Sequence, residues 1–216
     1  MKGNLVLCHG FGFDSDYWDH LIPYFSNYQI FNMNLGYYGK KTSSLPPMTS
    51  QKTIGIGHSL GFLKLAQLNY EFDLLVGLNP FLNFMGRQKE IRRRRQLEFN
   101  MLKSNLKSSP EKTLEDFHMR CGAPFEKAKF EHLSLRDLTQ DLDFISYEHP
   151  LPKAKEIFLL ASEDDPVVPK VITEDLMRPA FSHLKVEFLK TGSHALGCLN
   201  PDLVQKKIKG YFDDPI

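Results

Sequence analysis

Three polar residues follow apolar segments of the chain in an order that could support nucleophilic catalysis. Ser59 lies in the pentapeptide GHSLG, Asp165 lies in ASEDDPVVP and His194 lies in KTGSHALG. A serine hydroxyl becomes a strong nucleophile when a histidine takes its proton and a carboxylate orients that histidine. The chain order Ser, Asp, His is one of the orders in which these three groups assemble. The sequence therefore predicts a triad of Ser59, His194 and Asp165.

The spacing of glycines around Ser59 suits a sharp turn from a strand into a helix. Gly57 and Gly61 stand two residues before and after the serine, so neighbouring backbone can approach closely. The first N–H groups of the helix would then point at negative charge that develops on a bound carbonyl. A second glycine turn, His9-Gly10-Phe11-Gly12, follows the first apolar segment and can aim another N–H at the same point. The alternative is a chance match in two ordinary turns, which the surrounding strand and helix patterns disfavour.

Short apolar segments alternate with helical patterns, and these elements must position the polar residues. Helices are predicted over 60–70 and 203–212. Strand–helix alternation favours a parallel sheet with helices on both faces. We therefore predict an α/β fold with a mostly parallel sheet of about six strands. The strand segments are NLVLCHG, QIFNMNLGYYG, KTIGIGHS, DLLVGLNP, EIFLLASEDDP and LKVEFLKTGSH.

The region between the fourth and fifth predicted strands has no strand pattern. Helices are predicted there over 91–106, from SSPE at 108–111 to Cys121, and over 133–143. Serine, proline and glutamate in SSPE are typical of a helix start, and Gly122 is typical of a helix end. We predict a core formed by 1–80 and 151–216, with a helical cap inserted at 81–150.

Composition limits the function classes. The 216 residues are 42% hydrophobic and 25% charged, which suits one large domain or one domain with an insertion. The net charge of +1 removes any global electrostatic argument for binding nucleic acid or membranes. Three scattered cysteines suit neither a disulfide framework nor a zinc site. With no leader or membrane-spanning pattern, we expect a soluble cytoplasmic protein without metal or cofactor.

Together these motifs resemble the α/β-hydrolase superfamily over the whole chain. The matching segments are the glycine turn after the first strand, GHSLG, Asp-x-x-Val-Pro from Asp165, and Gly-x-His ending at His194. The resemblance implies Asp165 as the acid, since the family's acid directly precedes x-x-V-P, and Asp164 does not. It also implies that the backbone N–H groups of Phe11 and Leu60 form the oxyanion hole.

The resemblance implies a reduced form of the α/β-hydrolase fold. The first strand begins at about residue 4, so the antiparallel hairpin that usually leads the family's sheet is missing. The expected architecture is a sheet of about six strands with a helical cap insertion.

A closer similarity concerns substrate. HGFGFDSDYW, GYYG, GHSLG and FHMRCG are together similar to the pimeloyl-[acyl-carrier protein] methyl ester carboxylesterases of biotin synthesis. This implies a serine carboxylesterase acting on a methyl ester of a pimeloyl chain on acyl carrier protein. The motifs specify fold and nucleophile but not substrate. A generalist short-chain esterase, a thioesterase, an acyltransferase and a non-catalytic hydrolase-like binding protein remain alternatives, and the oligomeric state stays open.

The predicted cap holds the strongest local positive charge. Four consecutive arginines spread around a helix at about 100° each, so they cannot share one direction. They form either a solvated helix face or part of a docking site for an acidic acyl carrier protein. Their support for nucleic-acid binding is thin. Nearby aromatic rings could line an acyl pocket or belong to the core. The arginines are Arg92, Arg93, Arg94 and Arg95, and the rings are Phe81, Phe84 and Phe99.

Overall fold

Six parallel strands form one sheet in the part of the chain that the structure describes. This computed structural model describes residues 2–48, 51–177 and 183–213. The gaps, and the last three residues of the predicted core, lie outside that description. The sheet order is β2-β1-β3-β4-β5-β6, and every neighbouring pair is parallel. The α/β prediction is confirmed. The strands are β1 Asn4–Cys8, β2 Gln29–Met33, β3 Thr53–His58, β4 Phe72–Leu78, β5 Ala154–Ser162 and β6 Leu184–Leu189.

The strand order reverses at β1. The chain moves to one side of β1 to form β2, then returns to the other side to form β3. Cys8, the last residue of β1, pairs with Met33 on one side and Gly57 on the other. In open parallel sheets, the carboxyl ends of strands at such a reversal frame a crevice. The turns after β1 and β3 therefore emerge side by side.

Helices cover the faces of the sheet. β1 and β3 are buried along their whole length, which explains why they read as continuous apolar segments. Four short 3₁₀ turns lie at Ser15–Trp18, Ile22–Phe25, Lys127–His132 and Asp175–Met177. The helices are α1 Leu60–Ala66, α2 Lys89–Ser108, α3 Pro110–Cys121, α4 Leu135–Ile145, α5 Lys170–Glu174, α6 Leu196–Leu199 and α7 Pro201–Asp213.

The first helix is shorter than the sequence predicts. It ends at Ala66 instead of continuing to Tyr70. Tyr70 leaves the helix to pack on the Phe72 ring, 5.0 Å away, and its hydroxyl donates to Thr53 Oγ1 at 3.3 Å. These contacts direct the chain into β4. Helices α2, α3 and α4 lie between β4 and β5, and we call this region, 81–150, the helical insertion.

Candidate active site

Ser59 occupies a strained turn between β3 and α1. Its φ of 52° and ψ of −117° are unusual for a residue with a side chain. The Ser59 N–H donates to the carbonyl of Leu78 at 2.9 Å, which ties the turn to the end of β4. Strain of this kind persists only where surrounding contacts enforce it, and it concentrates at functional sites.

The two glycines of GHSLG are required by packing. A β-carbon on Gly57 would lie 2.3 Å from the Phe62 Cα. A β-carbon on Gly61 would lie 2.0 Å from the carbonyl oxygen of Cys8. No side chain fits at either position, so helix α1 can start directly against β1 only because both residues are glycine.

Gly61→Ala is expected to destabilise the protein by about 3 kcal/mol or to prevent folding, because backbone must move to admit the methyl group. Gly210→Ala is the matched control. Gly210 lies in α7 with nothing within 4 Å of its added β-carbon, so alanine should stabilise that helix by up to about 1 kcal/mol. Urea unfolding measures both. If Gly61→Ala matched the parent in stability, the packing described here would be incorrect.

Asp165 and His194 meet at the carboxyl ends of β5 and β6. His194 Nδ1–H donates to Asp165 Oδ2 at 2.7 Å, and the two side chains are 1% and 0% exposed. Asp165 Oδ1 accepts two backbone N–H bonds, from Val167 at 2.7 Å and Val168 at 2.9 Å. Both carboxylate oxygens are therefore fixed, and the imidazole is oriented through Nδ1, which leaves Nε2 to exchange protons.

Asp164 serves a different purpose. Its Oδ1 accepts the N–H of Gly192 at 3.0 Å, which joins the turn after β5 to the turn after β6. The structure brings Asp165, and not Asp164, to His194. Ser59 is 5% exposed, and its hydroxyl makes no hydrogen bond with any described residue. Catalytic hydrogen bonds are often long or poorly aligned until substrate binds.

Asn79 supports the His194 turn, and the sequence reasoning missed it. It directly follows β4 with a φ of 47°, and its Nδ2 donates to the carbonyls of Ser193 at 3.1 Å and His194 at 2.9 Å. Its Oδ1 accepts the Ser162 N–H at 2.8 Å. Asn79 thus joins the ends of β4 and β5 to the His194 turn. The sequence offered one signal: Asn79 precedes Pro80, and asparagine tolerates a positive φ. Its hydrogen-bond partners, Ser193 and His194, are too distant in sequence to be predicted.

His58 packs beneath the candidate triad. Its ring stacks on Tyr17 at 4.5 Å, and its Nε2–H donates to the His194 carbonyl at 3.0 Å. Burial, and then the nearby His194, hold the pKa of His58 well below its usual value. Burial also lowers the pKa of His9. Both rings therefore stay neutral in the folded protein around neutral pH.

Stability is expected to fall as the pH drops below about 6.5, since the unfolded chain protonates His9 and His58 while the folded chain does not. Each of the two contributes a slope of about 1.4 kcal/mol per pH unit there. His58→Gln keeps a donor for the His194 carbonyl and should remove one such slope. His20→Gln, at an exposed position, is the control. Urea unfolding from pH 5 to 8 tests this, and equal slopes in all three proteins would contradict it.

The two residues assigned to the oxyanion hole lie in adjacent turns. Phe11 follows Gly10 after β1, and Leu60 is the first residue of α1, so its N–H has no partner inside the helix. A β-carbon on Gly10 would lie 2.6 Å from His58 Nδ1. The turn after β1 therefore lies directly against GHSLG, and only glycine permits this approach.

A cleft of about 500 Å³ lies between α2 and α3. Phe84 lines it, whereas Phe81 is buried in the core and contacts the Phe84 ring at 5.0 Å. Ser59 and His194 do not line the cleft. Two of its lining residues, Val167 and Phe117, lie beside the candidate active site. Val167 is two positions after Asp165, and the Phe117 ring packs on Phe11. The apolar lining side chains are Phe84, Phe99, Met101, Leu102, Phe117 and Val167.

The arginine run does not form one exposed patch. Arg92, Arg93 and Arg94 are exposed, but Arg95 is buried, because successive helix positions turn by about 100°. The Arg95 guanidinium donates to the Val167 carbonyl at 2.8 Å and lies 4.0 Å over the Phe84 ring. The assignment of Arg95 to a docking surface is therefore wrong: it anchors α2 to the turn that carries Asp165.

The described residues hold neither a membrane-spanning helix nor a cluster of metal-binding side chains. No helix within them is both long and apolar enough to cross a bilayer. Among the same residues, no cluster of three or more His, Cys, Asp or Glu side chains could hold a metal ion.

No family model and no curated protein sequence matches the chain. Solved structures match it over nearly its full length. An esterase from Exiguobacterium antarcticum shares 12% identity over 98% of this chain and 92% of its own, with a TM-score of 0.75. An epoxide hydrolase from Bacillus megaterium shares 13% over 99% and 94%, with a TM-score of 0.72. The chain has the α/β-hydrolase fold.

In this α/β-hydrolase fold, Ser59, Asp165 and His194 lie in the turns that follow the carboxyl ends of β3, β5 and β6. A bromoperoxidase from Bacillus anthracis is also similar, with 13% identity over 99% of this chain and 93% of its own and a TM-score of 0.72. Proteins named as an esterase, an epoxide hydrolase and a bromoperoxidase thus share this fold. The fold prediction is confirmed, while the chemistry must be argued from the site.

Proposed function

We propose that this chain is a serine hydrolase that cleaves carboxylic esters through Ser59, His194 and Asp165. The observation that carries the proposal is the buried 2.7 Å hydrogen bond between His194 and Asp165, at the same sheet edge as the strained Ser59 turn. A buried carboxylate that orients a histidine beside a serine is the arrangement that nucleophilic acyl transfer requires.

In the proposed reaction, Ser59 Oγ attacks the ester carbonyl carbon while His194 Nε2 accepts its proton. The N–H groups of Phe11 and Leu60 hold the oxyanion of the tetrahedral intermediate. Asp165 stabilises the imidazolium and fixes its tautomer. His194 then donates the proton to the leaving alkoxide, which gives an acyl-enzyme and an alcohol. Water, activated by His194, attacks the acyl-enzyme, and the acid leaves with Ser59 restored. One oxyanion donor contributes about 10²-fold or more in rate.

The finer proposal concerns substrate and location. We propose a cytoplasmic enzyme that hydrolyses the methyl ester of a pimeloyl chain on acyl carrier protein, from the motif similarity described above. Two features support it. The cleft between α2 and α3 offers about 500 Å³ with apolar lining beside Phe11. Arg92, Arg93 and Arg94 are exposed on α2 and can attract an acidic carrier.

Hydrolysis of the carrier-linked ester, compared with p-nitrophenyl butyrate, tests both levels of the proposal. Changing Arg92, Arg93 and Arg94 together to glutamate should raise KM for the carrier-linked ester about 10-fold and spare the small ester. The matched lysine variant keeps the charge and should resemble the parent. Arg95 is left intact because it is buried.

The outcomes separate the proposed ester hydrolase activity from the proposed carrier-linked substrate. Equal effects on both esters would remove the carrier-docking proposal. Activity on the small ester alone would retain the ester hydrolase and remove the carrier substrate. If neither ester were hydrolysed, that result would contradict the proposed function itself.

A further inference from the structure

One end of α3 contacts three turns that the proposed function uses. We call residues 117–122 (FHMRCG) the tether segment. We call the turn after β1, residues 9–12, the oxyanion turn because it carries Phe11. His118 contacts the carbonyl of Gly12 in this turn at 2.6 Å. Arg120 Nε donates to the carbonyl of Pro166, next to Asp165, at 2.9 Å. The carbonyl of Cys121 accepts the N–H of Ala195, next to His194, at 3.2 Å. A single helix end therefore holds the oxyanion, acid and histidine turns together.

Both ring nitrogens of His118 face carbonyl oxygens. Its Nε2 lies 2.6 Å from the Gly12 carbonyl oxygen, and its Nδ1 lies 2.9 Å from the Pro124 carbonyl oxygen. Carbonyl oxygens only accept hydrogen bonds. The shorter contact, to Gly12, is a hydrogen bond when Nε2 carries a proton. The ring is buried, so neither contact is exchanged freely for water.

The surroundings of His118 hold its ring in place. The Phe13 and Phe125 rings pack on it, with ring centroids 4.5 and 5.3 Å away. His118 also lines a small cavity of about 70 Å³ with Lys129. Lys129 forms ion pairs with Asp14 at 2.9 Å, Asp16 at 2.9 Å and Glu126 at 3.1 Å, which fix the opposite wall of that cavity.

The turn that His118 contacts has little freedom to move toward α3. Gly12 has a φ of +74°, and a β-carbon there would lie 3.2 Å from the Phe117 ring. The Phe117 ring also packs edge-on against Phe11 at 5.4 Å. The position of the turn is therefore set by Phe117 through packing and by His118 through the Gly12 carbonyl.

We propose that His118 is a positioning residue for the oxyanion turn: its Nε2–H holds the Gly12 carbonyl and so directs the neighbouring Phe11 N–H. This inference rests on the proposed function, because Phe11 is its oxyanion donor. Without this donor, only packing against Phe117 sets the position of the turn, and the Phe11 N–H loses its alignment.

Two variants separate the contacts of His118. Gln can place its amide nitrogen where Nε2 lies and keep the bond to Gly12, whereas Asn can replace only Nδ1 and its bond to Pro124. His118→Gln should retain kcat within about 3-fold, and His118→Asn should lower kcat by about 10-fold or more with KM nearly unchanged. Equal losses in both variants, or losses only in the denaturation midpoint, would overturn the positioning role.

NMR tests the inference without relying on activity. In protein labelled with ¹⁵N, the Nε2 of His118 should carry the proton that bonds to the Gly12 carbonyl. The amide signals of Phe11 and Gly12 should move in His118→Asn and stay near their parent positions in His118→Gln. An Nε2 without a proton, or amide signals that move equally in both variants, would overturn the inference. If these signals behave as expected but Ser59→Ala hydrolyses esters like the parent, the proposed function fails instead.

Discussion

Replacing Ser59 with alanine is expected to lower kcat for p-nitrophenyl butyrate hydrolysis by about 10⁴-fold or more, because the proposed nucleophile is removed. The fold should survive, since alanine is smaller and no described residue hydrogen-bonds to the Ser59 hydroxyl. Steady-state kinetics and urea unfolding on the same preparation separate loss of chemistry from loss of structure.

Ser193→Ala is the matched control for that change. Ser193 directly precedes His194, and its buried hydroxyl has no hydrogen-bond partner among the described residues. Its removal should leave kcat within about 3-fold of the parent, because an unpartnered hydroxyl contributes little. A Ser59→Ala variant with a tenth of the parent's kcat or more would exclude Ser59 as the nucleophile.

Asp165→Asn is expected to lower kcat by about 10⁴-fold with little change in stability. Asparagine can keep an oxygen for the N–H groups of Val167 and Val168, so the turn should hold. The neutral amide cannot stabilise the imidazolium of His194. Its N–H group would face Nδ1, so the tautomer with the proton on Nε2 is favoured and Nε2 can no longer accept the serine proton.

The neighbouring Asp164→Asn supplies the comparison. Asp164 accepts only the Gly192 N–H among its described contacts, and an amide oxygen can accept that bond equally well. Its kcat should stay within about 3-fold of the parent. If Asp164→Asn lost more activity than Asp165→Asn under the same conditions, the assignment of the acid would be reversed.

Much of the fold could be predicted because parallel strands buried on both faces leave a plain signal. β1 and β3 are buried at every position, so they appear as short apolar segments bounded by glycine turns. The order of Ser59, Asp165 and His194 could also be predicted, since each lies in the turn that follows a strand. Parallel strands bring such residues to the same edge of a sheet.

Contacts between distant segments could not be predicted. Whether Arg95 points inward depends on how α2 is rotated against the turn after β5, and its partner Val167 lies 72 residues away. His118 is 106 residues from Gly12, and Asn79 is 115 residues from His194. Local propensity carries no information on such pairs, because tertiary packing decides them.

Labelling with a fluorophosphonate, followed by peptide mapping, tests the central claim most directly. The reagent bonds covalently to a serine only where a base removes the proton and an oxyanion hole receives the phosphoryl oxygen. The account predicts one adduct per chain on Ser59, lost in Ser59→Ala and slowed by at least about 10²-fold in Asp165→Asn. A parent protein that stays unlabelled, or an adduct on another residue that persists in Ser59→Ala, would contradict it.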